Sequence, residues 1–169
     1  RIQMQVDICV PLYNEEKNLP LLIWNYKKAV AQSGKIGKLI LVDNGSIDNT
    51  WNLLTENANA DILIFRLERN VGYGGGAQSA ISKSVSPVVA LIPANNQYSF
   101  RGILKLIEIY SNEIQNGDKH LLVKGNRVGR NDPFLTRFLS LSYTLMVSAM
   151  LGKYVRDVNG LPKIFDKTT

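Results

Sequence analysis

The residues best suited to chemistry in this chain fall at the ends of apolar runs. Val10-Pro11-Leu12-Tyr13-Asn14-Glu15-Glu16 closes one run, and Leu41-Val42-Asp43-Asn44-Gly45-Ser46-Ile47-Asp48-Asn49-Thr50 closes a second. A third polar stretch, Arg156-Asp157-Val158-Asn159-Gly160-Leu161-Pro162-Lys163, lies near the end. Tyr13 offers a ring that suits the face of a nucleobase. Glu15 and Asp43 offer carboxylates that suit a ribose hydroxyl or a base edge. Gly45 permits a tight turn, and Ser46 suits a helix N-cap. In an open parallel sheet, ligands bind outside the carboxyl ends of strands, where strand order reverses. Two polar strand ends within fifty residues therefore predict one ligand held between them. The same residues also suit ordinary strand-to-helix loops, with Asn14 as an N-cap and Asp43 in an Asx turn.

The elements that must hold these residues follow from periodicity. Val6–Val10, Lys38–Val42, Asp61–Arg66, Val88–Ile92 and Leu121–Gly125 read as strands. Val88–Ile92 is apolar without alternation, as in a sheet covered on both faces. Pro11, which has no N–H, is expected to end the first strand. Helices are predicted from Glu16 to Ser33, from a cap at Ser46 through Leu54, from Gly75 to Ser84, from Phe100 to Asn116 and from Phe134 to Leu151. A last strand is expected at Pro162–Phe165. Alternation of this kind means an α/β fold, a mostly parallel central sheet with helices on both faces. Residues 1–169 are expected to form a single domain, truncated at its C-terminus.

Composition narrows the chemistry. The chain has 169 residues, a formal net charge of +6 and 45% hydrophobic residues. It is long enough for a real core. His120 is the only histidine and Cys9 the only cysteine. This argues against a histidine-rich metal site, a Ser-His-Asp triad and a disulfide framework. Cys9 sits in an apolar run and reads as a buried reduced thiol. Basic charge suits a phosphorylated ligand or a membrane surface, and no nucleic-acid partner is expected.

Arg69-Asn70-Val71-Gly72-Tyr73-Gly74-Gly75-Gly76-Ala77 contains a G-x-G-x-x-A pattern. A dinucleotide reading fails, because the run follows the third strand and no acidic residue occurs from Val71 through Ile107. What remains is close backbone approach around Gly72 and Gly75, to a diphosphate or sugar or in plain packing.

Taken together, these stretches resemble glycosyltransferase family 2, the GT-A fold, and most closely its polyprenyl-phosphate branch. Val10–Glu16 is similar to that family's V-P-x-Y-N-E-E start. Val42–Thr50 is similar to V-D-D-G-S-x-D-x-T, with Asn44 in place of the second Asp. Asn70–Ala77 is similar to N-x-G-x-G-x-A, and Asp157–Lys163 to the D-x-x-x-G-x-x-K/R segment near the catalytic centre. The resemblance implies that Pro11, Tyr13, Asn14, Glu15, Asp43, Gly45, Gly72, Gly75 and Asn95 bind a nucleotide sugar, UDP- or GDP-linked. It implies that Arg127, with Arg137 and Ser140, holds an acceptor phosphate, Arg being suited to bidentate phosphate contacts; Arg130 lies close by in sequence. Asp157 is the implied catalytic carboxylate.

One segment departs from the pattern. Where the family carries Asp-Ala-Asp-x-Gln to hold a divalent cation, this chain has Pro93-Ala94-Asn95-Asn96-Gln97. Mg2+ and Mn2+ favour carboxylates. Three readings stay open: a cation held weakly by Asn95 and Gln97 with help from the phosphates, neutralisation of the diphosphate by basic side chains, or loss of catalysis.

The implied function is inverting transfer of a sugar from a nucleotide diphosphate to a polyprenyl phosphate. The alternatives are a hydroxyl acceptor or a non-catalytic nucleotide-sugar-binding protein. The apolar helix Phe134–Leu151 suits core packing or contact with lipid. Location at the cytoplasmic side of a membrane, peripheral or anchored by other segments, is the matching expectation. The sequence leaves oligomeric state open.

Overall fold

The computed structural model describes residues 4–117, 121–125, 134–152 and 160–168; for 134–140 and 151 it describes the backbone only. The elements run β1 (Val6–Leu12), α1 (Leu19–Gln32), β2 (Ile36–Asp43), α2 (Thr50–Asn57), β3 (Ile62–Arg66), α3 (Gly72–Lys83), β4 (Val88–Leu91), α4 (Phe100–Gln115), β5 (Leu122–Lys124), α5 (Phe134–Leu151) and β6 (Lys163–Asp166). The strands form one sheet in the order β3-β2-β1-β4-β6-β5. β1 pairs in parallel with β2 and β4, and β2 with β3. β6 is antiparallel to both of its neighbours. This is the mostly parallel α/β sheet that the alternating sequence predicts.

Strand alternation divides the core into two layers. On one face, Val6, Ile8, Val10 and Leu12 of β1 pack with Leu22 and Tyr26 of α1, Leu54 of α2 and Ile103 and Ile107 of α4. On the other, Cys9, Ile40, Val42 and Val89 pack against Ala77 and Ala80 of α3. Small residues let α3 lie close to the sheet: a Cβ on Gly76 would stand 3.1 Å from Pro11 Cβ and 3.1 Å from Asn44 Nδ2. Cys9 is buried and free, as expected, and burial, reinforced by the charge of Asp7, pushes its thiol up to about 12.

Several boundaries differ from the sequence expectations, each for a local reason. β1 continues through Pro11 to Leu12, with Pro11 opposite Val42. Cys9 O accepts from Ile92 N on the β4 side, and alternation points Pro11 N to that same side, where β4 has already ended at Leu91. The proline forgoes a bond only on that side, and β1 stays paired with β2 through Leu12, whose O accepts from Asn44 N at 2.8 Å. α1 begins at Leu19 rather than Glu16, because Glu16 is used in a loop contact described below. α2 begins at Thr50, and Ser46 is not its cap. α3 begins at Gly72, so the glycines lie inside its first turns rather than before them.

Asp7 holds the opposite end of the sheet from the polar loops. It is buried, and its carboxylate accepts from Lys38 N (2.8 Å), Val85 N (2.8 Å) and Ser86 N (2.8 Å). Removing the acceptor leaves three backbone donors unpaired. Asp7→Ala is expected to cost about 3 kcal/mol or more in chemical denaturation, while ligand affinity at the far end of the sheet stays unchanged.

Candidate functional site

The chain runs β1, β2, β3 outward in one direction and then returns to place β4 on the other side of β1. The order reverses between β1 and β4. The loops after these strands flank the crevice where an α/β sheet of this kind binds ligands. Tyr13–Asn18 follow β1, Asn44–Asn49 follow β2, Leu67–Val71 follow β3 and Ile92–Ser99 follow β4. The predicted residues Tyr13, Asn14, Glu15, Asp43, Gly45, Gly72, Gly75, Asn95 and Gln97 therefore meet at one end of the sheet, with Pro11 in the last turn of pleat beneath them.

The first two loops are laced together. Asn14 N donates to Ser46 Oγ (2.9 Å), and Ile47 N donates back to Asn14 Oδ1 (3.0 Å). Glu15 N donates to Thr50 Oγ1 (2.9 Å) and Glu16 N to Asp48 Oδ2 (3.2 Å). Asn49 N donates to Glu16 Oε2 (2.9 Å). Each loop thus accepts the backbone donors that the other cannot satisfy. Asn14 takes a left-handed conformation, φ 55°, which asparagine tolerates better than most residues. It is a lacing residue and not an N-cap. Ser46 receives a donor from across the gap, while Asp48 Oδ1 takes the Thr50 N–H at 3.0 Å.

Asp43 sits at the end of β2 and is fully buried. Its Oδ1 accepts from Ser46 N at 2.9 Å. Its Oδ2 lies 3.2 Å from Arg66 Nε, yet receives no hydrogen bond. Charge attraction holds the pair, and the geometry leaves the oxygen without a donor. Arg66 also donates to Ser46 O (3.3 Å) and lies 5.2 Å over the Trp51 ring. Gly45, φ 74°, passes so close to the β3 loop that a Cβ would stand 2.7 Å from Arg69 C. Only glycine suits that position.

Asn44 is buried and fastens the start of α3. Its Nδ2 donates to Gly72 O (2.9 Å) and Asn70 Oδ1 (3.2 Å), and its Oδ1 accepts from Val71 N (3.0 Å). Open space surrounds a Cβ position on Gly72 and on Gly74, so a ligand can approach the backbone there. Tyr13 and Tyr73 are exposed. Glu15 accepts from Asn18 Nδ2 at 2.7 Å.

After β4, Asn96 takes φ 54° and donates from Nδ2 to Asn18 O (2.8 Å), pinning this loop to the start of α1. Asn95 and Gln97 are exposed. The sequence did not single out Tyr98. Its hydroxyl is buried with no hydrogen-bond partner, and burial, followed by the charge of Glu15, raises its pKa well above the usual tyrosine value. Its only sequence cue was its place beside Gln97. Arg66 was likewise missed, because an arginine ending a strand looks like any surface cation. Arg127, Arg130 and Asp157 lie outside the described residues. Arg137 and Ser140 lie in the first two turns of α5, described as backbone only.

The lacing has a pH signature. Burial alone would raise the Asp48 carboxyl, but hydrogen bonds from the Thr50 hydroxyl and from the Thr50 and Glu16 backbone outweigh it and leave the pKa lowered. A carboxylate lowered on folding stabilises the protein above its unfolded pKa, about 3.9, and that contribution is lost as pH falls through the folded value. Denaturation midpoints measured from pH 6 down to pH 3 are expected to fall less steeply for Asp48→Asn than for the parent.

The comparisons with known proteins agree with this arrangement. A family model for Glycosyl transferase family 2 matches residues 7–167. The undecaprenyl-phosphate 4-deoxy-4-formamido-L-arabinose transferase of Pectobacterium carotovorum is 32% identical over 155 residues, covering 90% of this chain and 46% of that protein. Its counterpart from Yersinia pestis is 27% identical over 156 residues, with the same coverage of 90% and 46%. The chain thus spans less than half the length of these relatives. Among solved structures, S. aureus TarS 1-349 in complex with UDP-GlcNAc superposes with a TM-score of 0.58 at 20% identity, over 96% of this chain and 45% of that one. That likeness shows a shared fold. With the family match running from β1 to the end of β6, the chain belongs to glycosyl transferase family 2.

Proposed function

We propose that this chain carries the donor-binding part of a glycosyltransferase that moves a sugar, with inversion, from a nucleotide diphosphate to a polyprenyl phosphate. The observation that carries the reading is the crevice between the ends of β1 and β4, walled by the laced loops after β1 and β2. The relatives named above are undecaprenyl-phosphate sugar transferases, which supports a lipid phosphate as acceptor. The TarS complex with UDP-GlcNAc supports a nucleotide sugar as donor. The chain acts as a single domain in this reading.

Each residue then has a task. Tyr13 presents its ring to the nucleobase, and the donor-free Oδ2 of Asp43 accepts from a base N–H once Arg66 shifts aside. Glu15 takes a ribose hydroxyl, exchanging its contact with Asn18. Gly45, Gly72 and Gly75 allow backbone to approach the diphosphate, with Asn95 facing it from the β4 loop. Pro11 and Asn14 shape the floor. Tyr98 offers its unpartnered hydroxyl to the ligand. Arg127, Arg137 and Ser140 hold the acceptor phosphate, and Asp157 orients it.

The chemistry asks little of a base. A phosphate monoester has a second pKa of about 6, so the acceptor is already anionic at neutral pH. Its oxygen attacks the anomeric carbon, the bond to the diphosphate breaks, and nucleoside diphosphate leaves. Catalysis consists mainly of positioning the two anions and offsetting charge on the leaving group. With protein containing the whole chain, transfer of radiolabelled sugar to a short polyprenyl phosphate is expected. Asp157→Asn is expected to lower kcat by about 100-fold with nucleotide affinity retained. A hydroxyl acceptor that turns over while polyprenyl phosphate does not would defeat the acceptor assignment.

The acceptor is a lipid, and α5 supports contact with a membrane surface. Its burial is inverted. Thr144 and Ser148 are buried, while Leu141, Leu145, Met146 and Met150 are exposed. Seven basic and two acidic residues fall between Lys124 and Lys163. An apolar face flanked by cations suits the boundary of an anionic bilayer. No helix among the described residues is long and apolar enough to cross a membrane, so α5 lies along the surface in this reading, on the cytoplasmic side. Co-sedimentation with vesicles containing phosphatidylglycerol is expected, and Leu145→Glu with Met146→Glu is expected to abolish it without changing nucleotide affinity.

A further inference from the structure

We infer that this chain binds the diphosphate of its donor without a divalent cation. The inference rests on the donor site proposed above and concerns the loop after β4. In the pattern this chain resembles, that loop supplies two aspartates, and a cation bonded to both carboxylate and phosphate joins two anions that would otherwise repel. Here the residues do not fit such an ion. Pro93 has no ligating side chain. Asn95 has one oxygen able to ligate, and that Oδ1 accepts from Gln97 N at 3.3 Å. Asn96 is turned away, its Nδ2 bonded to Asn18 O. No group of three His, Cys, Asp or Glu side chains gathers anywhere among the described residues.

Neutral residues also change what the loop offers. Beside that oxygen, the exposed Asn95 side chain carries Nδ2, a donor that a carboxylate at this position would not offer. A donor suits a phosphate oxygen directly and is useless to a metal. A second family carboxylate, at position 44, is also an amide here, and its Nδ2 is used to hold Gly72 and Asn70 at the start of α3. This end of the sheet therefore carries fewer carboxylates than the pattern, at positions 44, 93 and 95. The repulsion that a cation offsets is removed along with the groups that would bind it.

Calorimetric titration of the full chain with UDP and with GDP, once in EDTA and once in Mn2+, tests this. The nucleotide that binds is expected to do so with a Kd equal within about twofold in the two buffers. Affinity at least about tenfold tighter in Mn2+, or protein-bound Mn2+ seen by electron paramagnetic resonance in the nucleotide complex, overturns the inference and leaves the donor site standing. The double variant Pro93→Asp, Asn95→Asp is expected to bind nucleotide more weakly in EDTA and to recover in Mn2+. Indifference of that variant to Mn2+ also overturns it, since these positions would then not set the cation dependence. Heat from neither nucleotide in either buffer defeats the donor site and this inference together.

Discussion

Everything at the functional end of this sheet depends on how two loops satisfy each other's backbone. A loop that turns from a strand into a helix exposes N–H groups that the helix cannot use. Here the loop after β1 gives three of its N–H groups, from Asn14, Glu15 and Glu16, to side chains of the loop after β2 and of the first residue of α2. The second loop gives Ile47 N and Asn49 N back. Together they form a wall whose geometry is fixed by reciprocal hydrogen bonds, and which leaves the Tyr13 ring exposed and the Asp43 Oδ2 with a cation beside it but no hydrogen bond.

The third loop is fastened to that wall by Leu67 N on Asp43 O (2.8 Å) and by the side chain of one residue, Asn44. Asn44 accepts one hydrogen bond and donates two across to Asn70–Gly72. An aspartate of the same shape could accept from Val71 N but could not donate to Gly72 O or to Asn70 Oδ1. The amide therefore has a structural reason that does not involve a ligand. The absence of side chains at Gly45 and Gly76 completes the joint, since either Cβ would meet the neighbouring loop or strand. Close packing of α3 and the amide at position 44 are parts of one arrangement, in which the helix start is drawn toward the ends of β1 and β2.

At the other end of the molecule the same economy appears in simpler form. Asp7 receives three N–H groups, one from β2 and two from the loop before β4, and has no reason to face a ligand. The two ends of β1 thus show two uses of carboxylates. One is saturated and structural. The other, Asp43, keeps an oxygen with a cation beside it but no donor on it, which is costly in a buried place unless a ligand completes it.

The sequence by itself determined the order of elements, the sheet class and the end of the sheet where chemistry gathers. Apolar runs of strand length alternating with helical periodicity admit little else, and polar residues at Tyr13–Glu15 and Asp43–Ser46 mark strand ends directly. The extent of α5, Phe134–Leu151, matched to the residue, because its apolar run is bounded by Pro133 and Gly152. Tertiary structure alone decided where each helix starts and which polar residues are spent on the fold. Glu16, Ser46 and Asp48 look like helix-start residues in sequence, and each side chain has a partner more than thirty residues distant, Asp48 alone also keeping a local one in Thr50 N. Pro11 reads as a strand end, yet stays in β1 because its nitrogen faces β4 and pairing with β2 runs on to Leu12. The order β3-β2-β1-β4-β6-β5, the burial of the Tyr98 hydroxyl and the cation beside Asp43 are set by long-range packing and pairing. Local propensity carries no information about them, because they are set only when separate segments compete to bury the same surface.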